Sequence, residues 1–190
     1  MTRLCALGFL LLVLSGCSAP PKDRYYVLGA AEGSNSASAL TKYTVAISAV
    51  SVPDLVNRNN IVVYQPDNRV EIMEHERWAE PLSFAIPSAI AAELRSELPD
   101  ARIAVYPQRA AADADCFINL DIQRFEARRG SSALVEALWS VRCAKGPVQR
   151  GRSLVLEKLQ ADSYSTVVAG YDRALVQIGK ELAQAVRTAR

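Results

Sequence analysis

The chain has 190 residues, half of them hydrophobic and 22% charged, with 22 Lys and Arg against 20 Asp and Glu for a net charge of +2. That supplies apolar material for one core of ordinary domain size, and it excludes a largely disordered chain or a strongly basic nucleic-acid binder. One histidine, His75, and four cysteines leave few ways to build a metal site.

Residues 4–14 form an unbroken apolar run behind Arg3. Eleven residues are far short of the ~20 that a membrane-spanning helix needs, so the pattern is that of a secretory signal, removed on export. Leu14-Ser15-Gly16-Cys17 resembles the bacterial lipobox. The resemblance implies a signal peptide over residues 1–16 and a diacylglyceryl thioether and N-acyl chain on Cys17, the lipid attachment site. Two or three acyl chains anchor stably where a single one does not. Residues 17–24 then read as the lipidated cysteine and a short Pro-rich tether, extended rather than helical. Ser18 stands where Asp would retain a lipoprotein at the inner membrane, so the sorting scheme that comes with the lipobox favours the outer membrane. The remaining residues, 25–190, are expected to form the folded domain.

Residues 25–28 read as a first strand and 30–39 as a loop of small polar residues. Tyr43, Val45 and Ile47 alternate along a strand over 43–52. Residues 61–64 and 69–73 flank the turn chemistry of Pro66-Asp67-Asn68, which predicts a hairpin. His75 then falls in a loop before a helix opened by Pro81, with an apolar stripe at Leu82, Ile86, Ala89, Ile90, Leu94 and Leu98. Pro87 inside that stripe predicts a kink or a delayed start. A strand over 102–106 follows.

In residues 116–123 the even positions are apolar, and in 135–143 the odd ones are apolar or small. Folding the pair about residues 128–131, with partners summing to 259, sets Ile118 against Val141 and Leu120 against Trp139, so both apolar faces land on one side. The same register opposes Cys116 and Cys143. In an oxidising compartment they could form a disulfide, or remain two reduced core cysteines behaving as small hydrophobes. A strand over 149–159 and a long helix capped by Ser163 complete the chain. Gly170 and Gly179 in that helix suggest close packing on the sheet. The expected fold is α/β (α+β): a single domain with a mixed, mostly antiparallel sheet and two principal helices.

The usual catalytic patterns are missing: no Gly-x-Ser-x-Gly elbow, no phosphate loop, no Cys-x-x-Cys and no His-Glu-x-x-His. Arg124, Arg128, Arg129, Arg142, Arg150 and Arg152 cluster in sequence, as a solvated face or as one basic edge.

Taken in order, the lipobox, Tyr25-Tyr26-x-Leu28, Val52-Pro53-Asp54-Leu55 and Arg77-Trp78-Ala79-Glu80-Pro81-Leu82 resemble the ABC-type transport auxiliary lipoprotein family, the PqiC-like intermembrane transport lipoproteins. The resemblance implies a non-catalytic lipoprotein on the periplasmic side of the outer membrane. It would work with an MCE-domain protein and its inner-membrane transporter subunits to move lipids or other hydrophobic compounds. It implies no cofactor beyond the lipid on Cys17 and no nucleic acid, and it leaves homo-oligomerisation open. Arg77, Trp78 and Pro81 are its candidates for a partner-facing motif. A lipid-carrying lipoprotein chaperone is the alternative, to be decided by whether the core holds a continuous apolar cavity. An anchored envelope hydrolase is the third reading, and the missing base and nucleophile weigh against it.

Overall fold

The computed structural model describes residues 21–29 and 41–190. Cys17, the signal segment and the predicted loop over 30–39 lie outside the described residues. Among the described residues, eight strands and two long helices form one α+β domain. In chain order these are β1 (Arg24–Tyr26), β2 (Tyr43–Ile47), β3 (Asn60–Tyr64), β4 (Val70–Trp78), α1 (Leu82–Glu97), β5 (Ala101–Val105), β6 (Cys116–Arg128), β7 (Ser132–Cys143), β8 (Gln149–Lys158) and α2 (Tyr164–Ala189).

The expected single sheet is two. A five-stranded sheet runs in the order β5-β2-β6-β7-β8, and a three-stranded one in the order β1-β4-β3. Both are mixed: β2 lies parallel to β5 and β6, β1 lies parallel to β4, and the remaining pairs are antiparallel. The division follows from strand length. β6 has 13 residues, and β2 covers only Cys116, Phe117 and Ile118. Ser51 adds one bridge at Asp121. Beyond that point the edge of β6 is left to the smaller sheet.

The β6–β7 hairpin has the register that the alternation demands. Cys116 pairs with Cys143, Ile118 with Val141, Leu120 with Trp139 and Ile122 with Ala137. The register then slips by one between Ile122 and Arg124, leaving Gln123 as a bulge. Gln123 and Arg124 are therefore exposed in succession, and the buried parity changes from even to odd. Phe125 and Ala127, which lie beyond the predicted end of this strand, are both buried.

β4 is also longer than predicted. Its second half is held by β1, with Arg24 opposite Glu76, Tyr25 opposite Arg77 and Tyr26 opposite Trp78. A strand completed by a partner some fifty residues away has no local signal. His75 consequently sits on a strand rather than in a loop.

Both helices cover the same side of the larger sheet, α2 against β6, β7 and β8 and beside α1. Ser163 caps α2, its hydroxyl accepting from the Thr166 N–H at 3.2 Å. A Cβ on Gly170 would meet Leu159 Cδ2 at 2.7 Å and Ala133 Cβ at 3.0 Å, so this glycine does pack on the sheet. Gly179 instead faces α1, where a Cβ would lie 2.8 Å from that of Glu93. α1 starts at Leu82 with Pro81 as its cap and runs unbroken through the buried Pro87. The proline sits one turn inside the helix, so its missing donor leaves one carbonyl, that of Ser83, without its usual intrahelical partner.

Deleting Gln123 forces the parity of Phe125 and Ala127 back toward solvent. The deletion should cost about 3 kcal/mol or more in urea melts, the scale of losing a buried aromatic. Gln123→Ala keeps the bulge and should change stability by less than about 0.5 kcal/mol.

Candidate functional site: the clasp on the leading segment

The described leader, residues 21–29, is fastened to the domain along its length. Asp23 Oδ1 accepts from His75 Nδ1 at 2.9 Å, in the tautomer that carries the proton there, and Oδ2 lies 3.3 Å from Arg77 Nε. One residue on, the alternation of β1 turns Arg24 to the opposite face, where its guanidinium pairs with the Glu76 carboxylate. Tyr26 donates its hydroxyl to the other oxygen of Glu76 at 2.7 Å. Glu76 is 4% exposed. Two donors on its two oxygens keep this buried charge paired. Burial, then the hydrogen bond and charge of Glu76, pushes the Tyr26 phenol up to about 12. Further on, the Gly29 N–H donates to Asp172 Oδ1 of α2 at 2.7 Å. Gly29 has φ +70°, and a Cβ there would lie 2.9 Å from Ala89 Cα, so both conformation and space call for glycine. The Asp172 carboxyl is raised by its partial burial, against the lowering by this N–H and by Arg173.

The structure separates the three residues of the candidate partner-facing motif. Trp78 is a correction: it is 4% exposed and belongs to the core. Its ring lies 6.3 Å from Phe125 and 6.1 Å from Tyr171, which themselves stack at 3.8 Å. Strand alternation puts Arg77 on the other face, half-exposed and engaged by Asp23. Pro81 is exposed at the start of α1. Cys116 and Cys143 are joined by a disulfide, with Cα atoms 4.0 Å apart. Sequence reasoning passed over Asp23, Glu76 and Asp172. The only available signal was complementary charge, Asp23-Arg24 against His75-Glu76-Arg77, and it cannot be read without the β1–β4 register.

Three of the six clustered arginines are ion-paired, whereas Arg128, Arg142 and Arg150 are exposed and form no ion pair among the described residues. Arg124 pairs with Glu126 at 2.7 Å, Arg129 with Asp162 at 2.9 Å, and Arg152 with Glu136 at 2.8 Å. Among the described residues no group of three or more His, Cys, Asp or Glu could hold a metal ion. Ser153 accepts from Trp139 Nε1 at 2.9 Å and donates to Glu181, but it is 2% exposed and out of reach of a substrate. The space between the larger sheet and its helices is filled by one continuous cluster of buried side chains. An apolar hollow of about 420 Å³ lies outside it, beside the exposed Tyr106 and lined by Ile47, Pro107, Ala111 and Phe117 among others.

Residues 26–183 match the family model of the ABC-type transport auxiliary lipoprotein component. The chain belongs to this family. It is 27% identical over 130 residues to the intermembrane transport lipoprotein PqiC of Escherichia coli K12, covering 67% of this chain and 68% of PqiC. The Shigella flexneri PqiC matches equally well. Two crystal structures share the fold. One, of an uncharacterized protein, has a TM-score of 0.71 and 22% identity over 87% of this chain and 99% of its own. The other, a Xanthomonas campestris protein, has a TM-score of 0.66 and 16% identity over 87% and 96%. No described helix is long and apolar enough to cross a membrane.

The hydrogen bond from His75, opposed by some desolvation and then assisted by Arg77, holds Asp23 below the ordinary carboxylate range. A depressed acid stabilises the clasp above its unfolded value, and the contribution is lost as pH falls through the depressed one. Amide exchange over residues 24–26, corrected for the intrinsic rate at each pH, should thus be slow at neutral pH and lose that protection in acid. Asp23→Asn should speed it at neutral pH while the core amides stay protected.

Closing 27 residues with the Cys116–Cys143 bridge contributes about 3 kcal/mol in the chain-entropy model. The Cys116→Ser/Cys143→Ser pair should lose that much in urea melts. Peptide mapping after alkylation of the unreduced chain should leave both residues unlabelled.

Proposed function

We propose that this chain is a non-catalytic lipoprotein, anchored through a lipid on Cys17 to the periplasmic side of the outer membrane, and that it docks the periplasmic conduit of an MCE-type intermembrane transport system. Family membership over residues 26–183 carries the proposal. The relatives' name, intermembrane transport lipoprotein, agrees with it. The clasp supports it physically. Asp23 is pinned to β4, and only five residues, 18–22, separate it from Cys17 in the sequence, at most about 17 Å of chain. The domain would be held against the bilayer as a platform for an incoming partner. Among the described residues the buried side chains between the larger sheet and its helices form one continuous cluster, which favours a platform over a carrier that swallows its own lipid.

Cys17→Ala should abolish the acyl mass on the mature chain and release the domain from membranes, as read by intact-mass spectrometry and fractionation. The wild-type protein should co-purify with an MCE-domain protein from solubilised membranes. Steady turnover of a lipid ester by the isolated domain, or a mature N-terminus other than an acylated Cys17, would overturn the proposal.

A further inference from the structure

β8 is a ten-residue strand at the edge of the larger sheet, and no strand among the described residues pairs with its outer side. The ladder with β7 fixes the direction of its backbone groups. The Leu159 N–H donates to the Ser131 carbonyl at 2.9 Å, and the β7–β8 register continues without a bulge from Ser132–Lys158 to Val141–Gln149. Hydrogen-bonded and non-hydrogen-bonded pairs alternate in an antiparallel ladder. The odd residues of β8 thus bond to β7, and the N–H and C=O groups of Arg150, Arg152, Leu154, Leu156 and Lys158 point out of the sheet.

These same five residues turn their side chains to the face that the helices leave uncovered. Leu154 is 51% exposed and Leu156 61%. Leu134 and Leu138 of β7, opposite Leu156 and Arg152, extend the patch. Its ends are basic. Arg150 and Lys158 are exposed and form no ion pair among the described residues. Arg152 also faces this side but is paired with Glu136 at 2.8 Å, so Leu154 and Leu156 are left as an apolar pair between the unpaired cations of Arg150 and Lys158. A second copy is a poor occupant. The antiparallel register that pairs all five edge-facing residues of two copies sets Arg150 against Lys158, like charge against like.

We infer that the open edge of β8 is a docking strip for an extended segment of a partner protein, one that adds a strand and carries an apolar pair between acidic residues. The accessory reading above is needed only for the partner's identity.

The test uses the full mature lipoprotein in detergent and a labelled nine-residue peptide. The peptide has Glu at its first and ninth positions, Val at its third and fifth, and Thr elsewhere, so that antiparallel addition sets Glu against Lys158 and Arg150. It should bind at least tenfold more tightly than the same peptide with Lys for Glu, by fluorescence anisotropy. Leu154→Pro removes one outward N–H and leaves the β7 ladder whole. It should weaken binding at least tenfold with the circular dichroism unchanged. If that variant fails to fold, Arg150→Glu/Lys158→Glu decides, since it should reverse the preference to the Lys peptide.

Equal affinity for the two peptides overturns the inference, as does full binding by folded Leu154→Pro. Self-association that Leu154→Pro abolishes also overturns it and makes a second copy the occupant. An MCE-domain protein that co-purifies equally with wild type and both variants sinks the strip and spares the accessory role. Absence of that protein from the wild-type preparation sinks the accessory role alone.

Discussion

Trp78, Phe125 and Tyr171 come from β4, β6 and α2, and their packing joins the smaller sheet to the larger one and its helix. Each buries a large ring, and together they close the space between two sheets that share no ladder. The bulge at Gln123 makes the meeting possible, because without its extra residue Phe125 would point to solvent. The clasp depends on the same arrangement. Trp78 fixes the end of β4, so Glu76, two residues back on the same face, is held inward to receive Arg24 and Tyr26.

Much of this was legible in the sequence because its causes are local. The alternation in residues 116–123 and 135–143 contains the hairpin register, and the apolar stripe behind Ser163 contains α2 with its cap. The failures have a common physical origin in contacts made at a distance. Gln123 and Arg124 read as the end of a strand because a bulge breaks period-two alternation in the way a terminus does. His75 read as a loop residue because the strand around it is completed by β1. Trp78 stood with Arg77 and Pro81 as a candidate partner-facing motif, whereas alternation along β4 sends it and Arg77 to opposite faces. The site suffered more than the fold, since every leader contact pairs residues at least fifty positions apart.

The domain therefore has three unlike surfaces. One side of the larger sheet is closed by α1 and α2, the leader occupies the free edge of the smaller sheet, and the far side of β7 and β8 stays open with its leucines and flanking cations. For an auxiliary lipoprotein this is a sensible division. The segment from Asp23 to Gly29 is secured to the domain, and the described interior is one continuous cluster of buried side chains.

The hydrogen bond from Gly29 to Asp172 spans 143 positions of the chain. Its donor leaves the ribosome early, while its acceptor lies in α2 and is made much later. Ring closure of that length must wait until both partners exist, and contacts between remote residues form late. For most of the protein's biogenesis the leader has nowhere complete to dock. That undocked interval is the one in which, under the proposed function, processing and acylating enzymes would act on the segment ahead of it.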